Sequence, residues 1–201
     1  MNQPRIRISA GAALLAAIVY YVCDTAKLMA VFIPVIVHEL GHVIVLEMLG
    51  LKIRGLKVQL KGFCIEYLGC TGAVGHALSA LGGPAAGLLY AWASSFIGNH
   101  IDSQWFNLSS GASIILSLFN LMPTLPLDGG MVMLHLSCAF LGEKRGERLT
   151  YMFSTAFGAL LLSAGIWLMI NGKGVALTIA ALWVLLYMDQ CMGIVKRREV
   201  L

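Results

Sequence analysis

Long apolar runs constrain the fold of this 201-residue chain more than any other feature of its sequence. A membrane-spanning helix needs about 20 mostly apolar residues. Charged residues make up 12% of the chain, about half the share found in soluble domains. This composition excludes a soluble enzyme, a disordered tail and a nucleic-acid-binding protein. We therefore expect an all-α polytopic membrane protein with about six transmembrane helices, at residues 8–23, 27–49, 77–98, 109–140, 150–171 and 174–194.

Two of these runs depart from a simple transmembrane helix. The run at 109–140 is too long for one straight helix, and it contains Pro123 and Pro126, which interrupt helices. The run at 8–23 follows two arginines, as in a signal peptide, but no small-residue cleavage site follows it. We therefore expect a broken fourth span and interpret the first run as a helix.

The basic residues predict how the chain is oriented. If the N-terminus is cytoplasmic and six spans alternate, 12 of the 14 lysines and arginines fall on the cytoplasmic side, leaving only Lys27 and Lys173 outside. Cytoplasmic loops of membrane proteins carry such an excess of positive charge. We predict an integral, multi-pass membrane protein with both termini in the cytoplasm.

One cytoplasmic segment has the pattern of a β-hairpin. Apolar and charged residues alternate from Leu51 to Lys61, which is the period of a half-buried strand. Gly62 offers a turn, and residues 63–67 can return as a second strand. We expect a small membrane-associated, amphipathic hairpin at about 51–67, after the second span. It would serve as a lipid-surface anchor or as an edge that holds an unwound substrate.

The second run contains the sequence His38-Glu39-Leu40-Gly41-His42, an HExxH motif. Ionisable side chains are costly inside a membrane, so such a cluster marks a candidate functional site. Residues four apart share a helix face, so both imidazoles can reach one Zn²⁺ at about 2.0–2.1 Å. Glu39 lies beside that face, where it can take a proton from a water molecule that zinc has made acidic.

A third zinc ligand is expected because catalytic zinc usually has three protein ligands and one open position. Among the acids within the spans, Asp128 is the candidate. It lies in the run Asn120-Leu121-Met122-Pro123-Thr124-Leu125-Pro126-Leu127-Asp128-Gly129-Gly130. Prolines and glycines break a helix here, and irregular backbone at membrane depth is tolerated where it is buried in protein or lines a cavity. We therefore expect Asp128 and Asn120 to lie at the metal.

These two motifs, HExxH in one span and N-x-x-P-x-x-P-L-D-G-G in a later one, resemble the site-2 protease family of intramembrane zinc metalloproteases. The layout is closest to that of the bacterial sporulation-factor proteases. The resemblance covers residues 27–140 and includes the small-residue element at 81–84. It implies that His38, His42 and Asp128 bind zinc, that Glu39 is the general base and that Asn120 lies near the substrate carbonyl or the attacking water.

The resemblance also carries expectations about domain organisation and partners. We expect a single membrane-embedded protease domain over residues 1–201, with its catalytic core at about 27–140. The sequence shows no PDZ or CBS domain such as many relatives carry. The partners would be the lipid bilayer of a bacterial cell and a membrane protein cut in or beside its transmembrane segment. Nucleic acid is excluded, and homo-oligomerisation is left open.

Other functions could use the same residues. A metal or ion transporter would bind metal with the same ligands in transit, and an inactive metal-binding membrane protein would keep them for structure. A prenyl-protein protease is disfavoured because its third ligand is usually a glutamate, and no glutamate lies within the later spans. Four further residues have no assigned role: His76, His135, Glu47 and Asp189.

Overall fold

The computed structural model describes residues 5–8, 24–59, 62–69 and 71–198, and the chain there is mostly helical, as predicted. The strands are β1 (Arg5–Ile8), β2 (Lys52–Gln59) and β3 (Gly62–Leu68). The helices are α1 (Thr25–Met48), α2 (Ala73–His100), α3 (Gln104–Asn120), α4 (Asp128–Leu141), α5 (Glu143–Ile170) and α6 (Ala176–Arg198). The chain divides into two compact units, Met1–Phe119 and Asn120–Leu201. A single membrane-embedded domain therefore stays a prediction.

The helices follow most of the predicted spans. The break expected in the run at 109–140 is present, because α3 ends at Asn120 and α4 begins at Asp128. The first predicted span lies outside the described residues, except for Ile8, which ends β1. Among the described helices, α1 and α5 are long and apolar enough to cross a membrane. The number of spans and the cytoplasmic position of the termini stay predictions.

In the first unit, α1 and α2 contact each other backbone to backbone. A Cβ on Gly41 would overlap the carbonyl oxygen of Gly82, and a Cβ on Gly82 would lie 2.7 Å from the carbonyl oxygen of Gly41. Small residues allow such close approach between helices in a membrane. Gly41 is the residue before His42 in the HExxH motif, so this contact fixes where the motif lies against α2.

Helix α3 is joined to α2 by serine hydroxyls. Ser110 donates to the carbonyl oxygen of Ala91 at 2.7 Å, and Ser113 donates to that of Gly87 at 2.8 Å. Both serines are buried. Because apolar contact gives little association between helices in lipid, such interhelical hydrogen bonds and close packing hold the pair together.

The other face of α1 carries an exposed apolar stripe. Ile36, Leu40 and Ile44 follow the helical period and are 43%, 50% and 54% exposed. The buried residues of the helix, which include Ala30, Pro34 and His38, lie on the opposite side. A continuous apolar surface of this kind indicates contact with a membrane or a partner.

The three strands form one sheet in the order β1-β2-β3. Strands β2 and β3 are antiparallel and confirm the predicted hairpin. The turn expected at Gly62 is wrong in position, because Gly62 opens β3 and pairs with Gln59. Strand β1, which the sequence did not predict, pairs in parallel with β2.

An irregularity in β2 explains its sequence pattern. The apolar positions are odd-numbered up to Ile53 and even-numbered from Leu56 onward. The register shifts between Ile53 and Gly55, where β2 has one more residue than β3. A β-bulge inserts one extra residue into a strand in this way. The extra residue explains why the apolar positions of β2 change from odd to even numbers.

In the second unit, small residues bring α5 close to its neighbours. A Cβ on Gly146 would overlap the backbone nitrogen of Cys138 in α4, and one on Gly165 would lie 2.7 Å from the backbone nitrogen of Thr178 in α6. Leu125, Leu134 and Met188 form the buried apolar cluster of this unit. The segment between α3 and α4 therefore contributes, through Leu125, to the core on which α4 lies.

Candidate metal centre

The two histidines of the HExxH motif are arranged as zinc ligands would be. The Nε2 atoms of His38 and His42 lie 3.3 Å apart. Two nitrogens at about 2.0–2.1 Å from a tetrahedral zinc are separated by about 3.3–3.4 Å. His38 is buried and His42 is half-buried. The pair therefore has the spacing that one ion requires.

The ring of His42 is fixed by the backbone of α2. Its Nδ1 lies 2.7 Å from the carbonyl oxygen of Ser79. A carbonyl only accepts, so Nδ1 carries the proton and donates it. The lone pair is then on Nε2, the atom that lies next to His38. Metal-binding histidines commonly donate their second ring N–H in this way, which sets both the tautomer and the ring orientation.

Gly83 provides the space in which the two rings lie. A Cβ at this position would overlap Nε2 of His42 and would lie 2.8 Å from Nε2 of His38. Gly83 is one helical turn after Ser79, so the imidazole of His42 lies along that turn of α2. Two glycines of the element at 81–84 thus have separate roles: Gly82 allows α1 and α2 to approach, and Gly83 leaves space for the two imidazole rings.

Asp128 is the first residue of α4 and follows an irregular segment, residues 121–127. A negative side chain is favoured at a helix N-terminus. The two glycines after it allow α4 to start tightly against that segment: a Cβ on Gly129 would overlap the carbonyl oxygen of Leu121, and one on Gly130 would lie 2.5 Å from the backbone nitrogen of Leu125. The Asp-Gly-Gly sequence therefore places a carboxylate at the end of a closely packed turn.

The three predicted ligands are a group that could hold a metal ion. One ligand atom from each of His38, His42 and Asp128 lies within 4.8 Å of the others. Two imidazole nitrogens and one carboxylate oxygen form a donor set that suits zinc and leaves a fourth position open. The donor types, together with the spacing of the two histidines, therefore fit the metal that the sequence implied.

The two other predicted catalytic residues lie on α1 and at the end of α3. Glu39 is half-buried on α1 next to His38, and Asn120 is the half-buried last residue of α3. Their catalytic roles stay predictions. His76 lies in the first turn of α2, 3.4 Å from the hydroxyl of Tyr67 in β3, and His135 lies half-buried on α4.

Two contributors to this centre were missed at the level of sequence. The carbonyl of Ser79 leaves no pattern, because every residue has a carbonyl and only the fold selects one. Gly83 belongs to the small-residue element at 81–84, and small residues of this kind are typical of close helix packing. Its position in the Gly-Gly-Pro element was the available signal, but nothing in the sequence showed that this element faces the histidines.

Comparisons with known proteins agree with this arrangement. No family model matches the chain. A protein of Synechocystis named "Putative zinc metalloprotease" is 28% identical over 141 residues, which cover 67% of this chain. The chain spans about a third, 37%, of the length of that relative.

The fold has a close counterpart among solved structures. The site-2 protease of Methanocaldococcus jannaschii superposes with a TM-score of 0.69, covering 92% of this chain and 89% of the archaeal one, at 18% sequence identity. The chain therefore shares the fold of that archaeal protein over most of its length. The resemblance predicted from the two motifs is thus confirmed: the chain is similar in sequence to a protein named as a zinc metalloprotease and similar in fold to a site-2 protease.

Proposed function

We propose that the chain is an intramembrane zinc metalloprotease that hydrolyses a peptide bond in or near the transmembrane segment of a membrane protein. The observation that carries this proposal is the group formed by His38, His42 and Asp128, with its two Nε2 atoms 3.3 Å apart. The names of the two similar proteins support a protease. The apolar stripe on α1 supports a lipid bilayer as its surroundings.

His38, His42 and Asp128 would hold the metal. When bound there, zinc would supply a Lewis acid and would lower the pKa of a water molecule to about 7. The hydrogen bond to the Ser79 carbonyl keeps the proton of the neutral His42 ring on Nδ1. Its Nε2 therefore carries no proton that must be lost before the metal binds. Asp128 contributes the negative charge that offsets part of the charge of the cation.

Glu39 is the proposed general base. It follows His38 directly on α1, so its carboxylate lies beside the ligand face. In the first step it takes a proton from the attacking water as that oxygen bonds to the substrate carbonyl carbon. In the second step it gives the proton to the leaving amine as the C–N bond breaks. A positioned acid or base of this kind contributes about 10²–10⁴-fold in rate.

Asn120 is the proposed polar contact of the substrate. Its side-chain amide can donate to the carbonyl oxygen of the scissile peptide, where negative charge develops. Asn120 is the last residue of α3 and directly precedes the irregular segment 121–127. The substrate must be locally unwound, because a helical segment shields its peptide bonds.

The Glu39→Gln variant tests this function. We expect it to keep zinc, because Glu39 is not a ligand, and to lose cleavage by about 10²–10⁴-fold. New N-termini in membrane proteins can be quantified by mass spectrometry in cells that express wild-type chain, Glu39→Gln, or Glu47→Gln as the control. Glu47 is exposed on the same helix, so its variant should cleave normally.

The outcome also separates the proposal from its alternatives. Cleavage products that appear equally with wild type and Glu39→Gln would contradict the proposed base. A change in cellular metal uptake with Glu39→Gln, in the absence of any cleavage by the wild type, would identify a transporter. Zinc bound by the wild type with neither cleavage nor uptake would identify an inactive metal-binding protein.

A further inference from the structure

The segment that precedes the carboxylate ligand is held by α5, a helix that lies outside the region of the family resemblance, residues 27–140. The buried residues of α5 form a stripe of mostly small side chains. Ser154 lies in the middle of this stripe and is 0% exposed. The contacts of this one residue reach directly into residues 121–127.

Two hydrogen bonds join Ser154 to that segment. The backbone N–H of Leu125 donates to the Ser154 hydroxyl at 3.0 Å, and the hydroxyl of Thr124 lies 3.3 Å from two acceptors, the carbonyl oxygens of Ser154 and Leu125. Thr124 and Leu125 are both 0% exposed. A buried backbone N–H needs an acceptor, and outside a helix or sheet the Ser154 side chain supplies it for Leu125.

The same peptide supports the start of α4. The backbone N–H of Leu127 donates to the carbonyl oxygen of Thr124 at 3.0 Å, and that of Met131 donates to Leu127 at 3.0 Å, which opens the helix. A Cβ on Gly130 would lie 2.5 Å from the Leu125 nitrogen. The first turn of α4, which begins with Asp128, therefore lies directly on the peptide that Ser154 holds.

We propose that Ser154 is a positioning residue for the metal ligand Asp128. Its hydroxyl fixes the Thr124–Leu125 peptide, that peptide fixes the first turn of α4, and the turn fixes the direction of the carboxylate. The proposal rests on the proposed function in one respect, namely that Asp128 binds the metal. It adds that the affinity of the centre depends on a hydroxyl in α5, which contributes no ligand.

Thr150 offers a matched control. It lies one helical turn before Ser154 in the same stripe and is also 0% exposed. Its hydroxyl donates to the carbonyl oxygen of Gly146 in its own helix at 2.9 Å. The Thr150→Val variant removes a buried hydroxyl of α5 with little change in shape. A general effect of such a removal on folding will therefore appear in both variants.

The experiment measures zinc affinity and unfolding separately on the full chain in detergent. Competition with a chromophoric chelator gives the dissociation constant for zinc, and melting in excess chelator gives the stability of the metal-free protein. We expect Ser154→Ala to weaken zinc binding by about 10–100-fold, the effect typical of residues that orient a ligand. We expect Thr150→Val to bind zinc as the wild type does.

A second pair of variants tests the contact between Ser154 and Thr124 by changing Thr124. Thr124→Val removes the hydroxyl that donates to Ser154, whereas Thr124→Ser keeps it. We expect weaker zinc binding with the first and near-normal binding with the second. The visible absorption spectrum of the Co²⁺-loaded protein should also change with Ser154→Ala and Thr124→Val, because it reports the geometry of the ligands.

The outcomes distinguish this proposal from the function on which it rests. Normal zinc affinity in Ser154→Ala, or an equal loss of affinity in Thr150→Val, overturns the role of Ser154. An unchanged Co²⁺ spectrum in a variant with lowered affinity and lowered melting temperature also overturns it, because the effect is then one of stability. A wild-type chain that binds no zinc contradicts the proposed function itself.

Discussion

The histidine pair owes its geometry to residues that carry no chemistry. Gly41 lets α1 approach α2, Gly83 leaves the space for the imidazoles, and the Ser79 carbonyl selects the tautomer of His42. The sequence predicted the ligands themselves, because a spacing of four residues puts two side chains on one helix face whatever surrounds them. It could not predict the supporting contacts, because they depend on which turn of α2 lies opposite.

Gly83→Ala is the residue-level test of this geometry. The added Cβ would lie 2.8 Å from His38 Nε2 and would overlap the His42 ring, so at least one imidazole must move. We expect zinc affinity to fall by about tenfold or more. A chelator competition assay measures this fall.

The control for Gly83→Ala is Gly111→Ala in α3. A Cβ at Gly111 has nothing within 4 Å, and alanine favours a helix over glycine by about 1 kcal/mol. This variant should bind zinc normally and melt at the same temperature as the wild type or higher. Normal zinc affinity in Gly83→Ala would show that the rings do not depend on the space at this glycine.

At the level of elements, the sequence predicted the features that leave a recognisable pattern in it and missed those that depend on contacts between distant segments. Alternation predicted the hairpin of β2 and β3, and two prolines predicted the break before α4. Strand β1 escaped prediction because four residues are too few for a period to be recognised, and its partner β2 is distant in sequence. The attachment of residues 121–127 to α5 escaped because a single serine in an apolar helix resembles any other small residue.

Gly130→Ala tests how closely α4 must start against the preceding segment. The Cβ would lie 2.5 Å from the backbone nitrogen of Leu125. Both the helix and the segment before it meet here through their backbones, which move less easily than a side chain. Overpacking of this kind costs about 1–3 kcal/mol. We expect a lower melting temperature of the metal-free protein together with weaker zinc binding. A variant that matches the wild type in both measurements would contradict the close packing of this turn.

At the level of the whole molecule, the predicted topology requires a bilayer around the helices. The exposed stripe on α1 and the distribution of the basic residues both indicate it. The distribution of the basic residues also predicts on which side of the membrane each connection between helices lies. Gly142, which joins α4 to α5, would face the cytoplasm, and the connection at residues 171–175 would face away from it.

Reporter fusions test that orientation. Green fluorescent protein joined after residue 142 or residue 201 should fluoresce in bacteria, because it folds in the cytoplasm. The same reporter joined after residue 102 or residue 173 should remain dark when the chain is exported to that side. Fluorescence with the opposite distribution would contradict the predicted topology and would require a different number of spans.

The proposed function requires that His38, His42 and Asp128 hold one zinc ion together, and the metal content of the purified chain tests this requirement. Plasma mass spectrometry should find about one zinc per wild-type chain, with little in His42→Ala or Asp128→Ala and a normal amount in the exposed control Glu47→Ala. The same measurement counts iron, which two histidines and a carboxylate also bind. A well-folded wild type that holds iron, or that takes up no zinc when zinc is supplied, would contradict the account.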